Sequence, residues 1–377
     1  MTFSLVLVDD WELRGDGSGD MRRIQFDPMR QLTRIYEDCG LRGSFNVEVM
    51  QQLHHIEHGA RHPHLEALAQ EWEQVVLDTY RRGHDIQLHV HSQWSRAAYQ
   101  DNRWKLSGDW SIINHPRGEM ERMIGTCKAY LEGLMRRVDP NYRCVSFRSG
   151  AWAIAPSEHA LSVLAQNDFV LDMSIVKGVK YEKPVQLDYT RCEEGFLPYY
   201  PDMKDARRVA GGTSPIVSVP TFSFIPSRAS VVRKDVSRIS TKLAKVMKRG
   251  GGPRGASGAV SADSYAVWHV PTSLAGRLSS RLMPTSVIAD LSALSFPMMK
   301  DMLQAIRCEA RSRDIADIPI ILENHTKDIT DFSAIARFAN YVSRQSDFEV
   351  ITLKELAGRL AQDRYPIAQR EAAESAA

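Results

Sequence analysis

Short apolar runs alternate with segments of helical spacing along most of this chain, and several of the apolar runs end in charged or imidazole side chains. "FSLVLVDD" (3–10), "RGSFNVEV" (42–49), "HDIQLHVH" (84–91), "CVSFRSG" (144–150), "FVLDMSI" (169–175) and "IPIILENH" (318–325) read as strands, with "IVSVPTFSFIP" (216–226) as a further one. Helical spacing of apolar residues falls at 28–39, 64–83, 117–138, 156–168, 297–311 and 331–345. Strands that alternate with helices predict a parallel sheet covered by helices. In such folds the functional groups gather at the C-terminal ends of the strands.

The bulk properties narrow the setting. A chain of 377 residues forms one large domain or two small ones. Its formal net charge of +2 singles out no class of partner. The five cysteines (Cys39, Cys127, Cys144, Cys192, Cys308) are odd in number and scattered, as free thiols in a reducing compartment would be. The opening "MTFSLVLVDDWE" lacks a basic start and runs straight into acids, so it reads as a strand and not as a signal peptide. No apolar run approaches the roughly 20 residues a membrane-spanning helix needs. The expected location is the cytoplasm.

One segment departs from the alternation. Residues 228–254 carry nine Lys or Arg and a single acid, Asp235. Val232, Val236, Ile239, Leu243 and Val246 fall on one helical stripe, which predicts a basic amphipathic helix over 228–249. "GGGPRGASGAVSA" (250–262) then reads as a flexible linker. Such a helix either packs on the main domain or contacts an anionic membrane surface. It carries no interleaved aromatics and no nucleic-acid motif, so nucleic acid is not an expected partner.

The strand ends deliver Asp9 and Asp10, His89 and His91, Arg148, and His325. Residues i and i+2 of a strand face the same side, so His89 and His91 stand together, either as metal ligands or as hydrogen-bonded core histidines. Carboxylate with imidazole suits Zn²⁺ or a similar divalent ion. A second carboxylate beside such an ion can act as a base, with Arg148 pairing to keep it ionised. A histidine on the far side can protonate a leaving amine, and these roles compose a hydrolase acting on an acyl group. Trp94 offers a flat face suited to the C–H face of a sugar and equally suits plain packing. In "HHIEHGARHPH" (54–64), His54 and His58 share a helical face, but the reading is of surface residues with no nearby acid to complete a site. "GDGSGD" (15–20) lacks the strand–loop–helix context of a phosphate loop.

In their order, these motifs resemble those of the polysaccharide deacetylases (carbohydrate esterase family four). "LVLVDDWE" is similar to the family's first motif, which implies Asp9 as general base and Asp10 as metal ligand. "RRGHDIQLHVHSQW" is similar to the second, and its "HVHSQW" matches a subgroup with an HxHxxW pattern, implying His89 and His91 as ligands where the common spacing would place Gln93. "VSFRSGAW" resembles the third, implying that Arg148 positions the base and Trp152 shapes the pocket. "FVLDMSI" resembles the fourth, implying that Asp172 tethers Arg148. "PIILENHT" resembles the fifth, implying His325 as the acid, and "FEVITLKELA" is similar to the family's usual ending. The resemblance covers about 1–180 and 290–360.

The resemblance implies an α/β fold, a distorted (β/α)7-type barrel, here with an inserted basic helical segment. The expected parts are 1–226 and 286–362 for the barrel, 227–285 for the insert and 363–377 for a frayed tail. The implied activity is divalent-metal-dependent removal, with zinc foremost, of an N-acetyl or related acyl group from a sugar of a surface-polysaccharide or lipid-linked glycan pathway. Two alternatives stand beside it: a non-catalytic glycan-binding or assembly protein on the same fold, and a deacylase of a small nitrogenous metabolite.

Overall fold

The computed structural model describes residues 1–231 and 286–370. Its centre is a parallel sheet of β1 (Thr2–Trp11), β2 (Ser44–Glu48), β3 (Asp85–Val90), β4 (Ser146–Ser149), β5 (Leu171–Asp172), β6 (Val217–Ser218), β7 (Asp317–His325) and β8 (Phe348–Ile351). The order across the sheet is β6–β5–β4–β3–β2–β1–β7, with β8 paired to the first half of β1. The sheet curls until its far edge returns: Thr221, just past β6, bridges Ile321 on β7, and Asp290 bridges Glu323. This is the expected parallel barrel. The polypeptide on either side of the basic segment joins in it, because β7 pairs with β1 from Thr2↔Asp317 to Asp10↔His325.

Helices α1 (Asp27–Asp38), α2 (Val49–Gly59), α3 (Pro63–Arg81), α4 (Arg117–Met135), α5 (Ala160–Gln166), α6 (Phe296–Ser312), α7 (Ser333–Val342) and α8 (Leu353–Leu360) flank the strands. The sequence reading left out α2, whose N-terminus is capped by Glu48; its carboxylate accepts from the Met50 amide at 2.7 Å. None of the described helices is long and apolar enough to cross a membrane.

Strand alternation divides the barrel into two faces. Leu5, Leu7 and Trp11 of β1 face outward into the helix-covered core with Phe45, Leu88 and Phe147. Val6 and Val8 face inward, with Leu171, Met173, Val219 and Ile321. Leu353, Leu356 and Leu360 of α8 close that inner cluster at the start of the strands. The barrel is therefore an apolar plug at one end, which leaves the inward positions at the other end for polar side chains.

Of two further expectations, only one meets a different outcome. Beyond Val231 the basic amphipathic helix lies outside the described residues. The tail expected to fray from 363 is instead seated as far as Arg370. Tyr365 is buried, its hydroxyl donating to Ser4 Oγ at 2.8 Å, and Ala368 bridges Tyr199. A buried phenol with a satisfied hydroxyl holds the chain where composition alone reads as loose.

The closing motif "TLKE" builds a capping box on α8: Thr352 accepts from the Glu355 amide while Glu355 accepts from the Thr352 amide at 2.7 Å. Because α8 plugs the barrel, losing this cap lowers the stability of the fold as a whole. Thr352→Ala should destabilise the protein by about 1 kcal/mol in chemical denaturation.

Candidate active site

The polar end of the barrel interior gathers Asp10, Glu12, His89, His91, Ser149, Ala151, Trp152, His325 and Lys327 around one pocket. Asp10 and Glu12 point the same way for the reason that His89 and His91 do, an i, i+2 spacing on an extended chain.

The two histidines are held differently. His89 Nδ1 lies 2.9 Å from the carbonyl oxygen of Arg148. A carbonyl only accepts, so Nδ1 carries the proton and the Nε2 lone pair points into the pocket. There it faces Glu12 Oε2 at 3.2 Å. Two groups that both accept, held this close, call for a cation or a proton between them. The backbone amide of His91 donates to Glu48 at 2.6 Å, and its Nδ1 lies 2.9 Å from the Gln93 side-chain amide. Its Nε2 is buried and also faces Glu12 Oε2 in close contact. Gly150 leaves room for the ring, since a Cβ there would stand 2.8 Å from His91 Cγ.

The donor atoms of Glu12, His89 and His91 all lie within 4.8 Å of one another. One carboxylate oxygen and two imidazole nitrogens form a ligand set that fits Zn²⁺ or a related divalent ion, and an ion bound there would replace the proton shared between Glu12 and the imidazoles. The other oxygen of Glu12 pairs with the Lys327 ammonium. Burial alone would raise the Glu12 pKa, but the charges of His91 and Lys327 prevail and hold it well below the usual carboxylate range.

A second group faces this one. Arg148 is completely buried, and one guanidinium nitrogen donates to Asp10 Oδ2 at 3.2 Å and to Glu323 Oε2 at 2.5 Å. The other terminal nitrogen donates to Thr221 Oγ1 at 3.1 Å. Asp10 also accepts from Asn46 at 2.9 Å. Burial works against its charge, yet Arg148 outweighs burial and lowers the Asp10 pKa. His325 Nε2 stands 3.7 Å from Asp10 Oδ2, and its Nδ1 lies 3.2 Å from Asp290 Oδ2. Burial and Lys327 oppose an imidazolium there. The Asp290 hydrogen bond and the charges of Glu323 and Asp290 prevail, lifting the His325 pKa to about 10. At neutral pH the pocket thus holds an ionised Asp10 opposite a protonated His325.

The structure brings Asp10, His89, His91, Arg148, Trp152 and His325 together, and it separates the other three expected residues from them. Asp9 is on the outward face with Trp11. It accepts from Asn324 at 3.0 Å, and burial raises its pKa to about 7. Asp172 pairs in register with Phe147 and not with Arg148, so it also faces outward, where it accepts from Ser218 at 3.3 Å and from the Ser174 amide at 3.1 Å. The tether of Arg148 is Glu323. Trp94 packs among aromatics, its ring 5.2 Å from Trp104 and 6.1 Å from His54, away from the pocket. Trp152 lines the pocket as expected and donates from its indole to Glu323 at 3.0 Å. Ala151 and Trp152 both adopt left-handed backbone, φ 52° and 56°. Such strain in non-glycine residues gathers at functional sites, and here Tyr189 holds it by donating to the Trp152 carbonyl at 2.5 Å.

Sequence reasoning overlooked Glu12, Glu323, Asp290 and Lys327. Glu12 and Glu323 carried a signal, since each lies two residues from an expected site residue on the same strand face. Asp290 follows the insert, and no pattern marked it.

No protein-family model matches the chain, and no curated protein matches it in sequence. Among solved structures, it is similar to a protein described as a candidate polysaccharide deacetylase from Mycobacterium smegmatis. That match has 13% identity and a TM-score of 0.50, and covers 99% of this chain and 95% of the other. A weaker likeness is to an allantoinase, with 10% identity, 97% and 92% coverage, and a TM-score of 0.46. At this identity the first match shows a shared fold.

Two outcomes follow from the geometry. Gly150→Ala should displace the His91 ring and weaken zinc binding about 10- to 100-fold, as loss of ligand support does, which equilibrium dialysis would read. In chelator-treated protein, Asp290→Asn should bring the NMR titration midpoint of His325 well below about 10, because the carboxylate that favours the imidazolium is gone while burial and Lys327 remain. A midpoint that stays put would remove Asp290 from this role.

Proposed function

We propose that the chain is a divalent-metal-dependent hydrolase that removes an acetyl or related acyl group from the nitrogen of a sugar. One observation carries this reading: the Asp10 carboxylate and the His325 imidazole face each other at 3.7 Å across the same pocket that Glu12, His89 and His91 line. A carboxylate and an imidazolium with pKa values pushed apart are suited to be base and acid of one reaction. Glu12, His89 and His91 would hold the ion, which supplies charge stabilisation at an oxygen and acidifies water.

In this reading Asp10 accepts a proton from the attacking water, and Arg148 keeps Asp10 ionised to do so. His325, oriented by Asp290, delivers a proton to the leaving nitrogen. Trp152 forms one wall, braced by Glu323. In this reading the base is Asp10, across the strand from the Asp9 that the motif resemblance implied, and the acidic ligand is Glu12, one step along the same strand face from Asp10. Support for a sugar comes from the motif order and from the fold shared with a protein described as a candidate polysaccharide deacetylase. The membrane contact expected of 228–249 belongs to the same proposal. Salt-sensitive co-sedimentation with anionic vesicles would support it, and protein left in the supernatant at low salt would remove it.

A second reading has one observation of its own. Lys327 already neutralises one oxygen of Glu12, and a pocket closed by that ion pair in place of a metal would bind a glycan without hydrolysing it. Metal content separates the two.

The roles are testable by variants assayed for bound zinc and for acetate release from N-acetylated sugars and oligosaccharides. Glu12→Gln should lose the pocket's metal. Asp10→Asn should keep it and lower turnover by about 10²–10⁴-fold. Asp9→Asn, altered on the opposite face, should stay within a few-fold of wild type. Equal damage from the two Asp→Asn changes would contradict the assignment.

A further inference from the structure

A second group of ligand-type side chains lies outside this pocket, on α2. The sequence placed His54 and His58 on one helical face. The helix adds Glu57 between them, and one donor atom from each of the three lies within 4.8 Å of the others. Glu57 Oε2 is 3.3 Å from His54 Nδ1. That Nδ1 is shielded from solvent and makes no hydrogen bond. The His54 and His58 rings are 6.4 Å apart, and His62, just before α3, stacks on His58 at 6.5 Å. Two tryptophans wall the group. Trp104 presents an edge-on contact to His58 at 5.4 Å, and Trp94 stacks on His54 at 6.1 Å.

We propose that His54, Glu57 and His58 form a second site for a borderline divalent cation such as Zn²⁺, separate from the pocket of Glu12, His89 and His91. Neighbours at i, i+3 and i+4 of a helix stand side by side, so the backbone already presents all three donors to one point. Tetrahedral ligands at about 2.1 Å from zinc lie about 3.4 Å apart. Side-chain rotation alone closes the remaining gap, since the Glu57 side chain is 70% exposed and unconfined by packing. Two nitrogens and one oxygen match the preferences of zinc and nickel. Because Trp94 sits three residues beyond His91 and stacks on His54, an ion here would brace the segment that carries the pocket's second histidine.

The test uses Glu12→Gln protein, in which the pocket ion is removed and this site remains. Zinc stoichiometry by equilibrium dialysis and elemental analysis should then be one ion per chain, against two in wild type. Saturating zinc should raise the Tm of Glu12→Gln, and the rise should vanish in Glu12→Gln/His58→Gln, while a circular dichroism spectrum confirms that both variants are folded. One ion in wild type, lost in Glu12→Gln and untouched by His58→Gln, would overturn the second site and leave the proposed hydrolytic pocket standing. Two ions in wild type, of which Glu12→Gln removes neither, would count against the pocket alone.

Discussion

A completely buried guanidinium holds the centre of this barrel. Arg148 reaches from β4 to Asp10 on β1, to Glu323 on β7 and to Thr221 beyond β6, so one side chain ties both edges of the curled sheet to its middle. Taking a guanidinium out of water costs several kcal/mol. It is tolerable here because two carboxylates and a hydroxyl meet it. The same contacts hold Asp10 ionised and keep Glu323 in place for the Trp152 indole. The fold's closure and the site's electrostatics are thus one arrangement, and deleting Arg148 would strand two buried acids at a cost of roughly 3–5 kcal/mol.

The alternation of inward and outward positions governs what the sequence made legible. Strand and helix order, the parallel barrel and the convergence of Asp10, His89, His91, Arg148, Trp152 and His325 could all be read from apolar periodicity and motif order. Parity was the missing step. In "DDWE" the tryptophan belongs to the helix-covered core, and that fixes Asp9 beside it on the outward face while Asp10 and Glu12 turn inward. Asp172 follows the same rule through its register with Phe147. Asp290 could not be read at all, because only the return of the chain against β7 places it beside His325. The seated tail had no signal beyond the single aromatic Tyr365.

The pocket's charges are arranged in opposition. Asp10 and His325 are driven to opposite protonation by different neighbours, Arg148 for one and Asp290 with Glu323 for the other. Across from them, Glu12 is shared between the two histidines on one oxygen and Lys327 on the other. That sharing aims a single oxygen at the imidazole nitrogens and limits Glu12 to ligation through that oxygen. It also places a fixed positive charge where a cation would bind, so Lys327 would weaken the pocket's hold on such an ion.

An anomalous-difference map from a zinc-soaked crystal tests the central claim most directly. A zinc peak coordinated by Glu12, His89 Nε2 and His91 Nε2 is expected, with Asp10 remaining on Arg148 and Asp9 remaining under the helices. A zinc ion held by Asp10 or Asp9 with Glu12 left on Lys327, or no zinc in the barrel at all, would contradict it.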